Sequence, residues 1–170
     1  MYTEKFDIFD ENNNPLWITK SRKIVHSELK DWHRVNHIWI YNDVWEILCQ
    51  KRSTKKDSNP WLWMSFFGWH LKAWETYEEN AINELEEEIW LKVLQKDLIF
   101  IHNRKSEQSK HFWNIYILKY NWNIEDLSFL DNEVEEVKFL SIYDLTKKIE
   151  KWYFCNVIDV KVSDYIRGNI

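Results

Sequence analysis

Four carboxylates fall within five consecutive residues, Glu84, Glu86, Glu87 and Glu88, and no basic residue follows them until Lys92. At 100° per residue in a helix, Glu84, Glu87 and Glu88 share an arc of about 100°, while Ile82, Leu85 and Ile89 gather on the other side. One face is core and the other is acid. Like charges one helical turn apart repel, and a hard divalent cation compensates that repulsion. Mg²⁺ takes oxygen ligands and is commonly held by one or two carboxylates together with a substrate's phosphates. The chemistry on offer is the neutralisation of phosphate charge and the activation of water.

The acid cluster needs a rigid helix, and the flanking residues supply its start. Thr76 is a suitable N-cap and Glu79, three residues on, completes a capping box, which predicts a helix from Thr76 to Ile89. A second helix is expected after Ser141, carrying Leu145, Ile149 and Trp152 at helical spacing, and a short third one at Val160–Ile166. Strands are expected at Lys5–Phe9, His37–Tyr41, Glu46–Lys51, Leu62–Phe67, Leu98–His102, Phe112–Tyr120 and Val137–Leu140, each rich in β-branched or aromatic residues. Strands, a mid-chain helix, more strands and late helices predict an α/β fold, a mixed β-sheet sandwiched between helices. No linker or repeat divides the chain, so residues 1–170 read as one domain.

Composition narrows the partners. The 170 residues are 45% hydrophobic, enough for a full core, and the net charge of −5 leaves no polycationic surface for a nucleic-acid polymer. Neither an export signal nor a membrane span is legible, and Cys49 and Cys155 have no metal-type spacing. A cytoplasmic location with free thiols is expected. One feature is abnormal: 2 glycines and 12 tryptophans, where ordinary glycine usage of about 7% would give roughly 12 glycines.

The segment from Gly68 to Leu91 resembles the Nudix box, G-x5-E-x7-R-E-U-x-E-E-x-G-U with U a bulky aliphatic residue. Laid on Trp69–Leu91, the pattern is met by Glu75, Glu84, Leu85, Glu87, Glu88 and Leu91; Trp69, Asn83 and Trp90 depart from it. The resemblance implies the Nudix fold and Mg²⁺- or Mn²⁺-dependent hydrolysis of a small-molecule diphosphate joined to another moiety, such as a nucleoside diphosphate derivative. It makes Glu84, Glu87 and Glu88 metal ligands at the catalytic centre and gives Glu75 the task of ordering the loop before the helix. The general base is one Glu of the helix or one from a following loop. Lys51 and Arg52 end a strand near the site and are expected to contact phosphate, and His70 lies beside the box. Asn83 offers neither the charge nor the fork of the usual Arg, so a catalytically idle domain that binds a nucleotide or diphosphate ligand is the alternative. Many members of the family are dimers, so the resemblance also admits a homodimer.

Residues Asp7–Arg52 are also similar to the Nudix subgroup related to isopentenyl-diphosphate isomerase. His26, His33 and His70 correspond to histidines that bind a second metal in that isomerase. Its catalytic Cys is missing before the Gly-His region, where Phe66 and Phe67 stand, and its Glu-x-Glu motif is replaced by His102-Asn103-Arg104-Lys105. Isomerisation therefore ranks third.

Several tryptophans stand where glycine would be expected. Read as glycine, position 74 gives Ala-Gly-Glu, position 45 closes the turn Asn42-Asp43-Val44, and position 122 gives Asn-Gly-Asn, a strong hairpin signal. Trp17, Trp32 and Trp61 also sit in turn contexts, whereas Trp39 and Trp63 read as true strand aromatics. Translation of UGA as tryptophan, where the source reads glycine, would account for ten of the twelve.

Overall fold

Ile38 and Ile40 point to one side of a nine-residue strand and Trp39 and Tyr41 to the other, and all four are buried. A strand buried on both faces needs cover on both faces. The computed structural model, which describes residues 4–56, 59–121, 123–129, 133–151, 154–155 and 158–168, provides it. In chain order the elements are β1 (Lys5–Phe9), β2 (Pro15–Ser21), α1 (Arg22–Glu28), β3 (His33–Tyr41), β4 (Ile47–Arg52), β5 (Trp63–Met64) and α2 (Tyr77–Ile89). They continue with β6 (Leu98–Ser106), β7 (His111–Lys119), β8 (Val134–Leu140), α3 (Ile142–Glu150) and α4 (Val160–Ile166).

The main sheet runs β5-β4-β3-β7-β6, with β8 also paired to β4. β3 and β7 are parallel, from His33 opposite His111 to Tyr41 opposite Lys119, and the remaining pairings are antiparallel. On one face Ile38, Ile40, Leu48 and Leu118 pack with Ala81, Leu85 and Ile89 of α2. On the other Trp39, Ile47, Cys49, Ile115 and Ile117 pack with Leu145 of α3 and Val162 and Ile166 of α4. The fold is the expected α/β sandwich, and α2 packs its apolar side, Ala81, Leu85 and Ile89, on the sheet. β1 and β2 form a separate two-stranded ribbon.

Several expected elements change extent. The strand expected at Leu62–Phe67 contracts to Trp63–Met64, because the chain then leaves β4 and crosses to β3, where Phe67 and Ile38 exchange both backbone hydrogen bonds. β3 begins earlier than His37 and β6 ends later than His102, since β7 supplies partners along the whole length of each. β2 and α1 were not expected: Leu16 and Ile18 are exposed, so the usual burial alternation is absent. Trp32, assigned to an open turn from its neighbours, is buried with its ring stacked 4.7 Å from Phe112. The expectations for Trp122 and Trp152 lie outside the described residues. Among the described residues no helix is long and apolar enough to cross a membrane.

Candidate active site

The capping box forms as the spacing requires. Thr76 Oγ1 accepts from the Glu79 backbone N–H at 3.2 Å, and the Glu79 carboxylate accepts from the Thr76 N–H at 2.9 Å. This fixes the first turn of α2 and the direction in which its acid face points.

The preceding loop is tied to the helix through Glu75. Its carboxylate accepts from the Lys72 backbone N–H at 2.9 Å, from Asn80 Nδ2 at 2.9 Å and from Asn83 Nδ2 at 3.0 Å. Asn83 thus holds Glu75 with a neutral donor. Glu88 is 5% exposed and accepts from the Gly68 N–H at 3.0 Å. Glycine is required there: φ is +77°, and a Cβ would lie 2.7 Å from Ile38 Cδ1.

Glu84, Glu87 and Glu88 line a cleft of about 180 Å³ with Glu133, which precedes β8. Arg22, Arg52, Lys56 and Lys72 line it too. The Glu84 side chain is 14% exposed. Burial, with the neighbouring charge of Glu88 next in weight, holds its carboxyl well above the ordinary carboxylate range; Lys72 works against that rise. The repulsion that appeared uncompensated along the helix is met from outside it. Lys72 Nζ lies 2.7 and 2.8 Å from the two carboxylate oxygens of Glu87 and 4.0 Å from Glu84.

Arg52 lines the cleft, but Lys51 does not. Its ammonium lies 3.9 Å from Glu135 and over the Trp61 ring. His70 lines the cleft and is buried. With His26 and His33 it forms the group, among the described residues, whose potential ligand atoms all lie within 4.8 Å of one another. His26 Nε2 and His70 Nε2 are 3.0 Å apart. Burial pushes His33 down to about 4 and His70 well below its ordinary value, so these rings are neutral and present lone pairs. His33 Nε2 and His70 Nδ1 are buried without a hydrogen-bond partner.

Sequence reasoning missed Arg22, Lys56, Lys72 and Glu133. They come from four separate segments of chain, and nothing in their spacing marks them as neighbours. A second cleft of about 580 Å³, lined by His37, Trp39, Phe66, Arg104, Trp113 and Phe154, shares Arg52, Met64 and Trp69 with the first. The two are therefore adjoining chambers, one charged and one aromatic.

A mixed sheet between helices, with a capped acid helix flanking a cleft lined by both carboxylates and basic side chains, is the architecture of the Nudix fold. Residues 31–156 match the NUDIX domain family, and the chain belongs to that family. It is 31% identical over 143 residues to Nudix hydrolase 3 of Arabidopsis thaliana, covering 84% of this chain but only 17% of that protein. It is 29% identical over 145 residues to an uncharacterized Nudix hydrolase of Listeria innocua, covering 81% of this chain and 80% of that one. Among solved structures, DR0079 from Deinococcus radiodurans has the same fold, with a TM-score of 0.72 at 19% identity over 97% of this chain and 98% of that one. A bifunctional NMN adenylyltransferase/ADP ribose pyrophosphatase from Francisella tularensis, complexed with AMP and a Mn ion, has a TM-score of 0.53 at 19% identity. That match covers 69% of this chain and 36% of the other.

Proposed function

We propose that this domain hydrolyses a small-molecule diphosphate joined to another moiety, using Mg²⁺ or Mn²⁺ held by Glu84, Glu87 and Glu88. The observation that carries the reading is the meeting of these three carboxylates with Arg22, Arg52 and Lys56 in one cleft. The donor set fits a hard cation: it is all carboxylate oxygen, and Glu84 is strained by burial and like charge that a cation would relieve. When bound, such a cation neutralises the diphosphate and makes water a better nucleophile. The chain's own residues do the rest. Arg22, Arg52 and Lys56 hold phosphate oxygens. Glu88, fixed by the Gly68 N–H, sets the ligand geometry, and Glu75 keeps the loop against α2. The proton of the attacking water goes to a carboxylate of the cleft, Glu84 or Glu133.

The adjoining aromatic cleft receives the second moiety. A ring system stacked against Phe66 or Trp113 fits its lining, and the Francisella neighbour's AMP makes adenosine diphosphate derivatives the first compounds to test. The three-histidine group would serve as a second metal site, suited by its imidazole donors to Zn²⁺ rather than Mg²⁺.

A second reading, a ligand-binding domain without turnover, is favoured by the two-pronged grip of Lys72 on Glu87 and by the neutral Asn83. A panel of nucleoside and prenyl diphosphate derivatives, assayed for phosphate release with Mg²⁺ and Mn²⁺, separates the two. Turnover abolished by the double variant Glu87→Gln, Glu88→Gln supports the hydrolase. Binding without turnover by the unaltered chain supports the second reading, and conversion of isopentenyl diphosphate would revive isomerisation.

A further inference from the structure

Among the described residues, nine that are not glycine have positive φ, and five of these are tryptophan: Trp17 at 58°, Trp45 at 62°, Trp61 at 68°, Trp74 at 74° and Trp90 at 57°. Both glycines of the chain, Gly68 and Gly168, also have positive φ. A bulky side chain in this region places Cβ against its own backbone, so tryptophan is among the residues least suited to it. None of the five gains a core by being there, since all are 48–79% exposed. Trp39 and Trp32 have ordinary φ and are buried.

Four of the five positions belong to motifs with a defined demand for glycine. In Asn59-Pro60-Trp61-Leu62 the Leu62 N–H bonds to the Asn59 carbonyl, proline stands second, and of the central pair Pro60-Trp61 only Trp61 has positive φ, Asn59 before it also being positive at 49°. Lys72-Ala73-Trp74-Glu75 repeats the pattern, with the Glu75 N–H on the Lys72 carbonyl. Both have the form of a type II turn, which calls for glycine at its third residue. Trp45 closes the turn opened by Asn42 between β3 and β4, in the left-handed position that follows a type I turn in a hairpin. Trp90 is the left-handed cap of α2, its N–H bonded to the Glu86 carbonyl, where helices most often place glycine. Trp17 has positive φ within β2, beside the register shift opposite Asp7 and Phe9.

We infer that residues 17, 45, 61, 74 and 90 are glycine in the protein as its own cells make it, from UGA codons that those cells read as glycine. Backbone conformation carries this independently of the hydrolase reading. Positions 74 and 90 bracket the acid helix, so the substitution bears on the site: glycine at 74 relaxes the turn that presents Glu75, and glycine at 90 relaxes the exit of the helix bearing Glu87 and Glu88.

The test has three readouts. The gene is expected to carry UGA at all five codons, and UGG at any of them overturns the inference. The tryptic peptide spanning residues 73–92, taken from the native source, is expected to contain glycine at 74 and 90, and tryptophan at either overturns it whatever the codon. Recombinant chains made with tryptophan or with glycine at the five positions are then compared by thermal unfolding. The glycine chain is expected to melt on the order of 10 °C higher; an equal or lower midpoint removes the physical basis of the inference. Phosphate release plays no part in these outcomes, so they stand whether or not the domain proves to be a pyrophosphohydrolase.

Discussion

Lys72 Nζ contacts both carboxylate oxygens of Glu87, at 2.7 and 2.8 Å, and so occupies the place of a cation beside a proposed metal ligand. The ammonium and a divalent ion compete for the same oxygens. Both side chains are more than one-third exposed, so solvent screens the pair and its worth is at most about 1 kcal/mol. Lys72→Met is expected to tighten Mn²⁺ binding roughly fivefold, the factor equivalent to that energy. Titration followed by the Mn²⁺ paramagnetic resonance signal checks it, and unchanged affinity would show that Lys72 does not compete.

Glu84 and Glu88 should separate stability from function in the way expected of a site built against its own electrostatics. Glu84→Gln removes a buried acid held far above its ordinary range, and is expected to raise the melting temperature in EDTA by about 2–4 °C. The same change should lower metal-dependent activity by at least about 10-fold through lost metal affinity. Glu88→Gln keeps its size, so activity should fall with little change in melting temperature. Melting curves with and without Mg²⁺, beside rates, decide both.

The acid helix was legible because its signals are local. Thr76 and Glu79 set its start, and the 3.6-residue period places Leu85 and Ile89 in the core, where they are found. Cover on both faces of the sheet was legible from the order of strands and helices, and the continuous apolar run Ile38-Trp39-Ile40-Tyr41 is buried on both sides as that order requires. The basic side of the cleft was not. Arg22 enters from an unexpected helix, Lys56 follows β4, and Lys72 sits in the loop before α2, so their meeting depends on topology rather than on spacing. Lys51 illustrates the converse. It neighbours Arg52 in sequence, yet successive residues of a strand face opposite ways, and only Arg52 reaches the cleft.

Asn83 offers a test of how much charge the Glu75 contact needs. Its amide donates to Glu75 at 3.0 Å, and it is exposed, so a longer side chain has room. Asn83→Arg replaces a single bond from a neutral donor with an ion pair whose guanidinium can grip the Glu75 carboxylate with two N–H donors. The expected result is a several-fold rise in kcat with KM little changed, measured on whichever substrate the panel identifies. A fall in kcat would mean that the loop is already held in its working position by the neutral amide.

Histidine burial predicts the response to acid. His33 is held at about 4 and His111 at about 3, in both cases chiefly by burial, against an ordinary value of 6.5. Their folded-state values lie below the unfolded ones, so the unfolded chain binds more protons as pH falls below about 6.5. The stability these rings contribute is fully present above pH 6.5 and is lost progressively toward pH 4 for His33 and pH 3 for His111, on the order of 1–3 kcal/mol each. Urea midpoints measured between pH 7 and pH 4 should therefore fall steeply, and His111→Gln should flatten the slope. A Zn²⁺ ion on His26, His33 and His70 would hold its ligands deprotonated. Added Zn²⁺ is accordingly expected to shift the decline to lower pH in the unaltered chain and to leave it unmoved in His33→Gln; equal curves with and without Zn²⁺ would argue against a metal at the triad.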